Sequence, residues 1–164
     1  MDNSANQRPI VVGVDGSRSS IDALRKAAEL ADVFNAPIEA ITAWQFPITY
    51  DQTLPTGIWS PEGEAADTLS RAIHEAFPSG KPENLTTQIA AGPPAAVLIK
   101  KSETASMLVL GSRGRGGFAG LLLGSVSTAC TQHAHCPVLV MHSMKSQEDA
   151  SDTERLDSEL TPTA

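Results

Sequence analysis

Five short, almost wholly apolar runs separated by helix-patterned segments leave this chain few folds to choose from. Pro9-Ile10-Val11-Val12-Gly13-Val14-Asp15 opens the series, followed by Ile38–Trp44, Leu85–Ala91, Ser106–Gly111 and Val138–His142. Runs this short, with little polar alternation, fit strands buried on both faces. Between the first two runs, Ile21, Leu24, Ala28 and Ala31 recur at helical spacing, with Leu30, Val33 and Phe34 alongside. Ser19 or Ser20 is placed to cap that helix, and Pro37 ends it. Ser60-Pro61 reads as the N-cap and first position of a second helix reaching Phe77. Pro93-Pro94 opens a third helix through Lys101, and a fourth runs from Gly124 to Gln132. Strict alternation of the two patterns predicts an α/β fold: right-handed crossovers and one parallel sheet with helices on both faces. Ligands of such sheets sit beyond the carboxyl ends of the strands, at the topological switch point. The segments after the first and fourth strands are therefore the places to look.

Composition narrows the class further. Hydrophobic residues make up 41% of the 164 positions but aromatics only 4%, so the core must be aliphatic. Twelve basic residues face 19 acidic ones, a net charge of −7 that argues against a nucleic-acid partner. Much of that acidity belongs to the segment from Gln147 to Ala164, where Glu148, Asp149, Asp152, Glu154, Asp157 and Glu159 face Arg155 alone. With only Leu156 and Leu160 to bury in that segment, the tail, residues 144–164, is expected to be disordered. Residues 1–8 are expected to be a loose N-terminus and residues 9–143 the folded domain. Residues 45–60, with Pro47, Pro55 and Gly57, form a long connection of a kind that is often functional. No apolar run approaches the roughly 18 residues of a membrane span, and no leader-like segment opens the chain. Cys130 and Cys136 cannot make a disulfide framework, and Asn84-Leu85-Thr86 would matter as a sequon only in a secreted protein. These features predict a soluble cytoplasmic protein with no membrane partner.

The strongest local signal follows the fourth strand. Gly111, Gly114, Gly116, Gly117, Gly120 and Gly124 crowd the segment between that strand and the fourth helix. Glycines let backbone amides turn towards an anion, and the helix start adds its positive dipole end. Arg113 and Arg115 lie inside the segment, and no Asp or Glu occurs from Thr104 through Ser146. The pattern predicts a phosphate site. A Walker loop is excluded, because the only Gly-Lys, Gly80-Lys81, precedes Pro82. Gly114-Arg115-Gly116-Gly117-Phe118-Ala119 satisfies a dinucleotide pattern, yet no acid follows until Glu148 to hold a ribose. Asp15, at the end of the first strand, is the second candidate. Its carboxylate either accepts hydrogen bonds from ribose hydroxyls, with Gly13 and Gly16 allowing approach, or only satisfies its own turn.

Together these residues resemble a known family. Gly111-x2-Gly114-x9-Gly124-Ser125 matches the G-x2-G-x9-G-S/T signature of the ATP-binding subgroup of universal stress proteins. Ile10-Val11-Val12-Gly13-Val14-Asp15-Gly16-Ser17 and His135-Cys136-Pro137-Val138-Leu139-Val140 resemble that family's two ends. The resemblance implies a Rossmann-like, HUP-type sheet of five parallel strands ordered 3-2-1-4-5, and a homodimer joined through the fifth strand. It implies that ATP, or in some members cyclic AMP, binds across strands one and four, with Mg²⁺ accompanying a triphosphate. Asp15 would meet the ribose or adenine region, and the backbone near Ala43 would read the adenine edge. Gly111, Gly114, Gly124 and Ser125 would hold phosphates, with contacts from Arg113 and Val126; Gly13, Arg115 and Gly116 complete the expected site.

Four rivals are weaker, among them a nucleotide-free structural dimer, as in family members that lack the glycine signature this chain retains. Phosphoryl transfer needs a base and a metal clamp, and the glycine segment has no carboxylate. With Asp15 expected at the other end of the ligand, binding with at most slow hydrolysis is expected instead of an enzyme. Cys130, His133, His135 and Cys136 lack a familiar zinc spacing and fit better as a helix end, with Cys130 in the core. A flavin site would want aromatics near the ring, and Trp44, Tyr50 and Trp59 are better placed to cover an adenine pocket or a dimer edge. The stress sensed and the protein partner are not written in these residues.

Overall fold

The computed structural model describes residues 7–46, 60–115 and 122–143. Its elements run β1 (Ile10–Gly13), α1 (Arg18–Phe34), β2 (Ile38–Trp44), α2 (Pro61–Ala76), β3 (Leu85–Ala91), α3 (Pro94–Ser102), β4 (Met107–Gly111), α4 (Ser125–His133) and β5 (Val138–Met141). All pairings are parallel, and the sheet order is β3-β2-β1-β4-β5. Ile10 pairs with Ile38 on one side and Met107 on the other, so β1 is the strand at which the order reverses. Residues 1–6, most of the 45–60 connection and the acidic tail lie outside the described residues.

Side chains alternate across the sheet and sort into two apolar layers. Ile10, Val12, Ile38, Ala40 and Val109 pack against Ile21, Leu24 and Ala27 of α1 and Leu69 and Ala72 of α2. Val11, Ile41, Leu108 and Leu110 face the other way, onto Leu98 of α3 and Cys130 of α4. The apolar stripes of α1 and α2 therefore cover one face, and those of α3 and α4 the other. Small alanines at the α1 and α2 contacts let these helices lie close to the strands without large aromatics. Each fully buried Leu or Ile contributes about 1.5–3 kcal/mol by leaving water, so a core of this kind holds without Trp or Phe at its centre.

Local caps explain where the helices begin. Ser17 has extended backbone and its Oγ accepts from Ser20 N at 3.3 Å, so Ser17 is the α1 cap. The expected caps, Ser19 and Ser20, are employed elsewhere: Ser19 Oγ donates to Arg113 O and Ser20 Oγ to Ser17 O. The helix ends at Asn35, in the left-handed region at φ 51°. At α2, Ser60 Oγ accepts from Gly63 N at 3.1 Å and Pro61 follows, as the sequence predicts.

Cys130 is fully buried in the second apolar layer, while Cys136 is partly exposed. Burial, and to a lesser degree nearby Cys136, push the Cys130 thiol from 9.0 up to about 11. Because only the thiolate reacts, Cys130 is protected twice, by enclosure and by ionisation. Iodoacetamide at pH 8 is expected to modify Cys136 well before Cys130 in the folded protein, and both at similar rates in urea. Peptide mass spectrometry reads the order; equal rates in the folded state would contradict the burial.

Candidate functional site

The site begins where the strands stop at unequal lengths. The last β2 partner of β1 is Ile41, opposite Gly13, yet β2 continues to Trp44. Val14 N still reaches Ile41 O at 2.8 Å, and Thr42 Oγ1 donates to Val14 O at 2.8 Å, which fixes the end of β1. Backbone groups along a strand alternate sides with period two. Ile41 O faces β1, while Trp44 O faces β3 and accepts from Gly92 N. Ala43 therefore presents its N–H and C=O towards the β1 side, beyond the point where β1 has ended.

Across β1, the glycine-rich segment leaves β4 and is pinched at its base. Ser112 N donates to Met141 O at 2.7 Å, and Ser112 O accepts from Gly124 N at 2.7 Å and from Ser127 Oγ at 3.0 Å. Both serines are buried. This pinch delivers the first turn of α4 to the same end of the sheet. Gly124, the α4 N-cap, has no side chain to offer the N–H groups that follow, so they are left to a ligand or solvent. Ser127 was not among the residues expected from sequence. A hydroxyl two positions beyond Ser125, on the buried side of a short helix, is the signal that marks it.

Asp15 holds three donors. Ser17 N and Ser17 Oγ reach its Oδ1 at 2.9 and 2.6 Å, and Arg115 N reaches its Oδ2 at 3.2 Å. The turn role considered for Asp15 is therefore real, and Asp15 also lines the cleft. The expectation that Asp15 lies at the far end of the site from the glycine segment needs correction. After β4 the chain folds back over the β1–α1 turn, and this brings Arg115 onto the carboxylate.

These elements enclose a cleft of about 880 Å³ at the carboxyl ends of the strands. Of the expected residues, Gly13, Asp15, Ala43, Gly111, Arg113, Gly114, Arg115, Gly124, Ser125 and Val126 all line it. Gly116 lies outside the described residues, as do Tyr50 and Trp59. Trp44 lines the cleft and meets Phe46 edge to face, with ring centroids 5.4 Å apart. Sequence reasoning missed the helical walls: Pro61, Glu64, Ala65 and Thr68 of α2, and Pro94 and Leu98 of α3. Only the topology shows that α2 and α3 start at this end of the sheet. Among the described residues, no three His, Cys, Asp or Glu side chains gather as a metal site. Among them also, no helix is long and apolar enough to cross a membrane.

A doubly wound α/β sheet with its cleft at the switch point defines the class. The sequence pattern of the universal stress protein family matches residues 7–142, and the chain belongs to that family. A universal stress protein of Mycobacterium tuberculosis is 36% identical over 139 residues, covering 82% of this chain and 45% of its own. The chain thus spans about half the length of the curated relatives it matches. Among solved structures, a universal stress protein in complex with cAMP is 26% identical, with TM-score 0.55 and coverage of 84% and 98% of the two chains. One from Archaeoglobus fulgidus in complex with dAMP is 25% identical, with TM-score 0.56 and coverage of 81% and 96%.

Gly111 lines the cleft, but its missing side chain serves packing. A Cβ there would overlap Ser19 Oγ and stand 2.8 Å from Ser20 N, at the first turn of α1. Gly111→Ala is therefore expected to lower stability by about 1–3 kcal/mol through overpacking. Urea denaturation followed by circular dichroism checks this; an unchanged midpoint would show that α1 does not seat on β4 as described.

Proposed function

We propose that this protein binds an adenine nucleotide, ATP in the first instance, as a regulatory ligand and not as the substrate of a fast reaction. The observation that carries the reading is the pairing, in one cleft, of a free strand edge at Ala43 with an uncapped helix start at Gly124. Adenine offers an amino donor beside a ring-nitrogen acceptor, which complement the C=O and N–H of Ala43; guanine presents the opposite order on that edge. The α4 amides and the Arg113 guanidinium suit phosphate oxygens. Asp15 and Ala43 take the ribose and base; Gly111, Gly114, Ser125 and Val126 lie on the phosphate path. Any Mg²⁺ comes with the triphosphate.

The cAMP- and dAMP-bound relatives support adenine-nucleotide binding as a class. ATP is preferred over cyclic AMP on charge: Arg113 and Arg115 share a stretch from Thr104 through Ser146 that carries no acid, and a triphosphate uses that field more fully. Cyclic AMP is the second reading, favoured by a relative solved with it. The glycine segment carries no carboxylate of its own, and the one folded against it, Asp15, is already engaged by Ser17 and Arg115 N, so turnover is slow or absent in this reading. The half-buried apolar edge of β5, Val138–Met141, is proposed as a homodimer contact in a cytoplasmic protein.

Denaturing freshly purified protein and identifying the released nucleotide by chromatography and mass spectrometry tests the proposal. ATP is expected, and cyclic AMP would move the function to second-messenger sensing. If the protein is empty, calorimetric titration is expected to give tighter binding for ATP than for GTP, weakened by added salt. Absence of binding for ATP and cyclic AMP alike would overturn the reading.

A further inference from the structure

Both oxygens of the Asp15 carboxylate are held by the protein itself, and one of the donors comes from 100 residues away. The glycine segment's first arm is fastened at two points. Arg113 O accepts from Ser19 Oγ at 2.7 Å, and Arg115 N donates to Asp15 Oδ2 at 3.2 Å. The arm lies so close that a Cβ placed on Gly114 would stand 2.5 Å from Asp15 Oδ2. The Arg115 side chain completes the fastening. Its guanidinium lies on Gly16, where a Cβ would come within 2.8 Å of Nη2, 3.1 Å of Cζ and 2.9 Å of the Thr68 methyl. Gly16 has φ +77°, so both its backbone and its surroundings call for glycine.

We propose that Asp15 is a positioning residue for the phosphate-binding arm: through Arg115 N it seats residues 113–115, while Gly16 provides the floor on which the Arg115 guanidinium rests. The inference builds on the nucleotide reading and deepens it. Asp15 then has two effects on a nucleotide. One is direct, because an ionised carboxylate has about four acceptor positions; three are used here, which leaves one for a ribose hydroxyl. The other runs through the arm to the phosphates and does not involve the sugar. The sugar end and the phosphate end of the site are therefore coupled through one side chain, and Arg115 acts by holding its own segment instead of reaching for the ligand.

The two effects separate when ATP is compared with adenosine, which has the same sugar and base but no phosphate. Affinities for both are measured, adenosine by competition, in wild type, Asp15→Ala, Gly16→Ala and Ser19→Ala, each checked for native circular dichroism. Loss of a ribose contact alone weakens both ligands equally and leaves the ATP-to-adenosine affinity ratio unchanged. Loss of the seat lowers that ratio by about tenfold, the size of one charge-assisted hydrogen bond. The lowered ratio is expected in Asp15→Ala and Gly16→Ala, and Ser19→Ala serves in their place if the strained turn does not fold. An unchanged ratio in folded Asp15→Ala, or in Ser19→Ala where Asp15→Ala does not fold, overturns the seat and leaves nucleotide binding intact. A wild type that binds ATP no better than adenosine also overturns it, and one that binds neither overturns the nucleotide reading instead.

Discussion

The site depends on one pairing: β1 lies between β2 and β4, so the sheet order reverses beside it. Chain leaving β1 and chain leaving β4 depart to opposite faces, and the crevice between them cannot be closed by either connection. The register Ile10↔Met107 through Val12↔Val109 aligns the two strand ends to within a residue or two. Everything that meets in the cleft is brought there by this alignment, including an Asp and a backbone amide a hundred residues apart. Long-range parallel pairing of this kind is entropically costly to close. The fully buried Val11, Val12, Leu108 and Val109 on the two strands are where that cost is offset.

Unequal strand lengths then do the chemical work. Had β1 run as far as β2, its backbone would satisfy Ala43, and the cleft would lose its free strand edge. The β1 turn Asp15-Gly16-Ser17 bends away after Val14, and the Thr42 hydroxyl caps the Val14 carbonyl that the missing strand pairing would leave buried. The same economy operates at the other wall. Ser112 and Ser127 tie the ends of the glycine segment together, so its base is fixed even though glycines confer no rigidity of their own.

Most of the fold was legible because strand and helix signals fall in strict alternation. Ile38–Trp44 and Leu85–Ala91 read directly as strands, and Ser60-Pro61 marked the start of α2. The glycine spacing also identified the walls of the cleft that follow β4. What stayed hidden depended on contacts distant in sequence. Ser19 looked like a cap because caps are local signals; that it bonds Arg113 O follows only from α1 lying over β4. Thr68 and Leu98 read as ordinary helix positions, and only the direction of α2 and α3 turns them towards the cleft. Asp15 was placed away from the glycine segment for the same reason, since nothing in either local sequence shows the backbone folding onto it.

An acidic side chain against the proposed anion site looks like a conflict, and its resolution constrains how a nucleotide would lie in the proposed mode. A phosphate charge about 4 Å from Asp15 would be opposed by about 4 kcal/mol at an effective dielectric constant near 20. A ribose hydroxyl at the same place donates a hydrogen bond and is attracted. In the proposed mode the carboxylate therefore disfavours a phosphate set directly against it, and the uncapped N–H groups that follow Gly124 are the donors left for phosphate oxygens. The Arg115 guanidinium rests on Gly16, next to the Asp15 turn, and offsets part of the carboxylate's field. In the proposed mode a single residue would set the ligand's direction by its charge and hold the first arm of the glycine segment through Arg115 N. Replacing Asp15 by a neutral residue removes both constraints together, so its effect cannot be read from total affinity and has to be separated ligand by ligand.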